Sequence, residues 1–425
     1  MHSENPSVSF ADSSPTRGAV GRADDIRLYV RRTRSISIIV SVLHCNTLFF
    51  WYIKRGLGKT VDKGGEDVEQ FFCKTKIISG TNALHSLKEL CCKRLMVVGD
   101  PYFQQNGTLD QVVALVQPSE SCIYTGVEPD PSAQAVAKGT AQLKAFAPDT
   151  VVALGGGSAI DCAKAMVYFS GLQVFFVAVP TTSGAGSEVT NFAVITHDGV
   201  KTPLVDNALQ PDMAILDGVL LQNLPKTLIA DAGFDVLAHA LEAAVAKNGG
   251  GISGALAQWA FATGCEMLPR SFEGDLSARI WMHQAATAAA MAFSSAGLGL
   301  CHALSHSLGG LYHVPHGRLN AILLPAVVGV NSGWGSYAPI ARSGGMGGAA
   351  DSMAVRNLKS GLISLRKRLR LPSTLAQAGV SAAKLRTDTP AIVRAALADP
   401  CCSTNPRPVD EQLIRAVLKE VSGAV

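Results

Sequence analysis

Between about residues 93 and 180, short apolar runs alternate with longer stretches of helical composition. Leu95-Met96-Val97-Val98 lies within Lys93–Gly99, a second run falls in Asp149–Leu154 and a third spans Val174–Val179. Each is too short for a buried helix and reads as a strand covered on both faces. Ser132–Ala145 separates the first two runs and has helical composition. Strands that alternate with helices pair in parallel, because parallel neighbours need a crossover between them. Beyond about Pro211 the strand signal fades. Long Ala- and Leu-rich stretches follow at Leu228–Ala246, Gly254–Leu268, Leu276–Met291 and Met353–Arg370. The chain therefore carries two architectures: an α/β domain with a parallel sheet over residues 68–218, and an all-helical domain over 219–425. No repeat of fixed period runs through either.

A length of 425 residues, 48% of them hydrophobic and 16% charged, suits two buried cores and excludes disorder over most of the chain. The net charge is +4, of which residues 1–67 carry +3 through ten Lys/Arg against seven Asp/Glu. The remaining body is close to neutral, so it lacks the basic face that a nucleic-acid partner requires. Met1–Gly21 is rich in Ser, Pro and Gly, Arg27–Arg34 is basic, and Ser35–Ile53 is mostly apolar. That order resembles an anchor or a signal segment. His44, Cys45 and Asn46 interrupt the apolar run, however, and no small-residue cleavage site follows. Residues 1–67 are expected to be an atypical, disordered or loosely attached extension outside the catalytic body, with no membrane partner. Phe71–Gly80 reads as the first strand and turn of that body. The ten cysteines include no CxxC pair, and two pairs are adjacent. All are expected to be reduced thiols in a cytoplasmic protein.

Gly155-Gly156-Gly157-Ser158 follows the second apolar run and precedes the helical stretch Ala159–Tyr168. Glycine lets backbone amides approach a phosphate, and a helix N-terminus adds its positive dipole end. A second turn, Pro180-Thr181-Thr182-Ser183-Gly184-Ala185-Gly186-Ser187-Glu188, follows the third run. Two such turns at strand carboxyl ends define a ligand crevice. Asp100 ends the first run, where a carboxylate accepts from a ribose hydroxyl and repels a 2′-phosphate.

The histidines carry the sharpest signal. Six of the ten fall between His239 and His316. Asp235 and His239 are spaced i, i+4, as are His302 and His306, so each pair shares a helix face. His316 sits in Val314-Pro315-His316-Gly317, beyond Gly309-Gly310. One carboxylate with several imidazoles suits Fe²⁺ or Zn²⁺. Spacing leaves open which histidine of the second pair would bind.

These motifs resemble a known family. Gly155–Ala165, Pro180–Glu188, Gly233–Ala243 and His302–Leu324 look like the signatures of the iron-containing (group III) alcohol dehydrogenases. The resemblance covers the chain from about Val68 onward. It implies an N-terminal dinucleotide-binding α/β domain and an all-α metal-binding domain, with the active site in the cleft between them. The implied metal ligands are Asp235, His239, His302 and His316, holding Fe²⁺ with Zn²⁺ as the alternative. His306 is implied as a catalytic histidine beside the substrate, relaying a proton. NAD would meet Asp100, Gly156, Gly157, Ser158, Asp161, Thr181, Thr182 and Lys201. Within the family, Asn207–Met213 and Ala395–Pro408 look most like propanol dehydrogenases of propanediol-utilising bacterial microcompartments. That implies a small alcohol or aldehyde substrate such as 1-propanol or propanal. It also implies a homodimer or higher homo-oligomer, and shell or lumen partners in a microcompartment. The competing readings are a polyol or hydroxyacid dehydrogenase on the same scaffold, and a non-catalytic microcompartment protein. Ala185 and Arg318 depart from the family pattern, and a cation at 318 is expected to alter the metal's surroundings.

Overall fold

The structure is a computed structural model that describes residues 69–197 and 200–423. The extension over residues 1–67 lies outside the described residues.

The α/β half runs β1 (Lys76–Gly80), β2 (Arg94–Gly99), α1 (Thr108–Val116), β3 (Glu120–Tyr124), α2 (Ala133–Phe146), β4 (Thr150–Gly155), α3 (Gly157–Ser170) and β5 (Phe175–Pro180). It continues with β6 (Phe192–His197), β7 (Val200–Val205) and β8 (Met213–Asp217). β6 and β7 form an antiparallel hairpin, while the other six strands form one parallel sheet in the order β1-β8-β5-β4-β2-β3. Period-2 alternation sorts the apolar side chains between the two faces. Met96, Val98, Val151, Ala153, Phe176 and Ala178 join the core that includes Val136, Leu143, Ile160 and Met166 of α2 and α3. Leu95, Val97, Val152, Leu154, Val177 and Val179 join the core that includes Leu109 and Val112 of α1. The chain thus leaves the adjacent strands β2 and β4 toward opposite faces. That reversal opens a crevice at their carboxyl ends.

The helical half contains α4 (Lys226–Val245), α5 (Gly251–Glu273), α6 (Leu276–Ala296), α7 (Leu300–Tyr312) and α8 (His316–Asn331). It ends with α9 (Tyr337–Ser343), α10 (Asp351–Arg368), α11 (Ala382–Ala398) and α12 (Glu411–Val421). α4 is buried almost all round, which makes it the central helix. Phe234 and Leu237 are wholly inaccessible, each contributing about 1.5–3 kcal/mol by burial. The polar residues Asp231, Asp235, His239 and Glu242 interrupt this apolar surface at spacings of four, four and three, so they form one stripe. A stripe of buried titratable groups on a central helix must be matched from outside. α7 and α8 supply the match.

The sheet is larger than the sequence suggests. Strand character does not fade after Pro211: β8, all five residues buried, pairs with β1 on one side and β5 on the other. Its single apolar run, Met213–Leu216, is short and is followed closely by the Ala- and Leu-rich helical sequence. β1 covers only the second half of Phe71–Gly80. β3 is an edge strand that begins with Glu120 and Ser121, and this polarity hides it from an apolar scan.

Candidate metal centre and dinucleotide cleft

Three imidazole Nε2 atoms converge on one oxygen of Asp235. His239 stands 3.8 Å from Oδ1, His302 3.7 Å and His316 3.5 Å. These separations are at or past the limit for a hydrogen bond, but close to the ~3.4 Å between two donors that each bind a tetrahedral metal at ~2.1 Å. The donor atoms of Asp235, His239 and His302 all lie within 4.8 Å of one another, and a carboxylate with imidazoles suits a divalent iron or zinc ion. Burial opposes the ionised form of Asp235, yet the surrounding histidines hold its carboxyl well below the usual range. Burial pushes His239 down to about 4, and His316 is also held well below its ordinary value. His302 loses by burial but gains from Asp235 and Glu242, which lift it to about 9.

Neighbouring side chains fix each donor. Glu242 Oε2 lies 2.6 Å from His302 Nδ1, so the opposite nitrogen faces Asp235. The other oxygen of Glu242 accepts from the Cys301 amide at 2.7 Å and so caps the start of α7. Gly299 leaves room for this: a Cβ there would stand 2.7 Å from Glu242 Oε1. Asn320, one turn after His316, donates to Asp235 Oδ1 at 2.7 Å. His239 is stacked between Phe293 at 4.4 Å and His302 at 4.6 Å. Gly317 packs on the backbone of α4, where a Cβ would fall 1.9 Å from the Asp231 carbonyl oxygen. Asp231 and Arg318 form a two-point ion pair at 3.1 and 2.9 Å. Arg318 therefore directs its guanidinium to Asp231, one turn before Asp235, and ties α8 to α4.

His306 shares α7 with His302 but makes a different bond, from Nδ1 to Asp399 Oδ2 at 2.8 Å. Its ring stacks on His316 at 5.2 Å and 17°. The side chains of His306 and His316 are 35% and 32% exposed against 6% and 1% for His239 and His302, so these two rings mark the open side of the centre.

The cleft's other wall is the sheet's carboxyl edge. Gly156 caps α3, Gly157 and Ser158 form its first turn, and a Cβ on Gly156 would stand 3.5 Å from Thr182 Oγ1. Thr181 donates its amide to Gly155 at 2.9 Å, joining the two turns. Asp100 ends β2 across the crevice and accepts from the Tyr102 amide at 2.8 Å. Lys201 on β7 reaches Asp130 at 2.6 Å, and the Asp130 amide donates to Ser158 Oγ at 3.3 Å. Asp161 is buried inside α3, where its Oδ2 accepts from Val194 of the hairpin at 3.0 Å. Burial raises its carboxyl.

Glycines of the second turn do other work than phosphate approach. A Cβ on Gly184 would stand 3.1 Å from Ala232 of α4, and one on Gly186 would fall 2.1 Å from Ala290 of α6. Gly186 also has φ +70°. Ala185 faces Gly157, whose added Cβ would stand 3.1 Å from it. Glu188 accepts from Thr287 of α6 at 2.6 Å, and His283 of α6 touches Ser183 Oγ at 3.0 Å and the Pro180 carbonyl at 3.2 Å. The turn is thus clamped between the sheet and the helical half, with the centre beside it.

The same two-part organisation appears in known proteins. Residues 74–218 match the iron-containing alcohol dehydrogenase profile, and residues 229–422 match the C-terminal profile of the same family. The 1-propanol dehydrogenase PduQ of Salmonella typhimurium is 40% identical over 366 residues, spanning 83% of this chain and 99% of that protein. The chain belongs to the iron-containing alcohol dehydrogenase family. An NADPH-dependent butanol dehydrogenase of Clostridium saccharobutylicum is 36% identical over 81% of this chain and 95% of its own length. A 1,3-propanediol oxidoreductase structure superposes with a TM-score of 0.78 at 30% identity, covering 83% of this chain and all of that one. As an iron-containing alcohol dehydrogenase the protein is an oxidoreductase, and membership implies a nicotinamide dinucleotide and an iron ion. Among the described residues, no single helix is long and apolar enough to cross a membrane.

Several residues of this alcohol dehydrogenase escaped sequence reasoning. Glu242 was within reach of it, because it lies three residues after His239 on the same helix face. Asn320 is likewise one turn from His316. His283 stood among the clustered histidines with no assigned role. Asp399 is 93 residues from its partner His306, and no local pattern links them.

Proposed function

We propose that this protein interconverts a short primary alcohol and its aldehyde with NAD, using iron, and that 1-propanol and propanal are the preferred pair. The observation that carries this reading is the convergence of His239, His302 and His316 on Asp235 beside the glycine-turn crevice. Those four residues are the proposed metal ligands, for Fe²⁺ first and Zn²⁺ as the alternative. Bound there, the metal would supply Lewis-acid polarisation of the substrate oxygen, and the nicotinamide would supply the hydride exchange. Gly156, Gly157, Ser158, Thr181 and Thr182 would cradle the phosphates, with Lys201 beside them and Asp161 supporting the turn from below. Asp100 would accept from the adenosine ribose and disfavour a 2′-phosphate. His306 would carry the proton between substrate and solvent from the open side.

The substrate preference is supported by likeness to the 1-propanol dehydrogenases of Salmonella typhimurium and Citrobacter freundii, at 40% and 38% identity. Arg318 is engaged by Asp231, so it is not held ready for a substrate carboxylate, which argues against a hydroxyacid substrate. The proposed setting is cytoplasmic, within a bacterial microcompartment, as a homo-oligomer. Steady-state assays with C2–C4 aldehydes, glycerol and a hydroxyacid, each with NADH/NAD⁺ and NADPH/NADP⁺, test the proposal. The highest kcat/KM is expected for propanal with NADH. A higher value for glycerol or the hydroxyacid would overturn it.

A further inference from the structure

α11 ends at Ala398, and the next residue turns its side chain toward α7. Asp399 Oδ2 accepts from His306 Nδ1 at 2.8 Å, and its Oδ1 accepts from the Cys401 amide at 2.9 Å. Burial works to raise this carboxyl, but His306 and Cys401 outweigh it and bring it down to about 2. An ionised carboxylate only accepts hydrogen bonds, so the hydrogen between the two residues belongs to His306 Nδ1. A neutral imidazole with its hydrogen on Nδ1 has its lone pair on Nε2. The Asp399 side chain is 14% exposed and that of His306 35%, so the pair is buried at the carboxylate end and open at the ring. That ring lies on His316, whose Nε2 is 3.5 Å from Asp235.

We propose that Asp399 is a positioning residue for the alcohol dehydrogenase reaction: it fixes the tautomer and angle of His306 so that Nε2 receives the substrate proton. The inference rests on the reading of His306 as the proton relay. In the oxidative direction the alcohol O–H bond breaks and its proton passes to the Nε2 lone pair. A bound oxidised nicotinamide would take the carbinol hydrogen with both C–H electrons as hydride, leaving the C–O bond as C=O. His306 then releases its proton to water, so one alcohol and one oxidised dinucleotide give one aldehyde, one reduced dinucleotide and one proton. Without the carboxylate the ring can take the other tautomer, with its hydrogen on Nε2 and no lone pair for the substrate. A carboxylate that orients a histidine in this way recurs in unrelated hydrolases.

Asp399 also holds the Cys401 turn, and this structural role must be separated from the positioning one. Asparagine caps a turn about as well as aspartate but does not enforce the same tautomer. The test measures kcat, KM, metal content and melting temperature for Asp399→Asn, Asp399→Glu, His306→Ala and the H306A/D399N double variant. Asp399→Asn should lower kcat by about 10–10²-fold, at or below the ~10²–10⁴-fold of an acid–base group lost outright because His306 itself remains, with KM, metal content and melting temperature near wild type. Asp399→Glu should recover part of that loss. In the His306→Ala background, Asp399→Asn should add nothing, because residues that act through one another are not additive. An equal loss in both backgrounds, or wild-type kcat in Asp399→Asn while His306→Ala is impaired, would overturn the inference alone. Wild-type kcat in His306→Ala would overturn the relay reading and the inference with it.

Discussion

The two walls of the cleft are built from different parts of the chain. On the sheet side, Gly155–Ser158 and Thr181–Gly186 form turns whose shape depends on missing Cβ atoms. On the helical side, Asp235, His239, His302 and His316 are ordinary helical or helix-end positions whose side chains carry the site. A backbone site is specified by what is left out, whereas a side-chain site is specified by which donors are present. The first kind fails by steric displacement with every donor intact. The second fails by loss of a donor within an undisturbed frame.

The sharpest test of the backbone wall is Gly186→Ala. Its added carbon would fall 2.1 Å from Ala290, at a φ of +70°. Overpacking and the left-handed backbone together should cost about 2–5 kcal/mol, read as a lower unfolding midpoint in denaturant. The dinucleotide KM should rise, because Thr182 moves with the turn. A stable variant with unchanged KM would mean that the turn does not depend on its glycines.

His283 joins the two walls, and its contribution depends on pH. Burial holds its folded value at about 4, against an ordinary 6.5. Unfolding exposes a ring that binds a proton below 6.5, while the folded ring stays neutral until about 4. The stability that His283 contributes is therefore full above pH 6.5 and lost as the pH falls toward 4, by about 3 kcal/mol. Denaturant titrations of wild type and His283→Gln should show a stability gap that narrows over that window. A gap that stays constant from pH 7 to 4 would remove His283 as a pH-dependent strut.

Asp100→Gly probes a side-chain contribution to the backbone wall. Losing one repelling charge should raise the kcat/KM ratio of NADPH to NADH by about tenfold, equivalent to ~1.4 kcal/mol. An unchanged ratio would place Asp100 away from the ribose.

The same contrast explains what was legible in the sequence. The helical spacings Asp235/His239 and His302/His306 need only the 3.6-residue period, so both pairs stand out. The parallel core strands β2, β4 and β5 are legible because each is a continuous apolar run. β3 hides behind a polar start, and β8 is a short run, Met213–Leu216, set against the long helical stretches that follow it. Which histidine of α7 faces Asp235 depends on two distant carboxylates: Glu242 takes His302 and Asp399 takes His306. The interdomain use of Gly184 and Gly186 was also hidden. A glycine packed against Ala232 or Ala290 looks the same in sequence as one that approaches a phosphate. Arg318 looked like a cation beside the metal, and only the fold pairs it with Asp231.

Asp235, His239, His302 and His316 are proposed to hold one divalent metal that the reaction requires. Metal content of anaerobically purified wild type and His316→Ala, measured by mass spectrometry alongside NADH-linked aldehyde reduction, tests it most directly. Wild type should carry about one iron per chain. His316→Ala should show a ~10–100-fold or greater loss of metal affinity and activity, with an unchanged circular-dichroism spectrum. Full iron occupancy with retained activity in His316→Ala would contradict it.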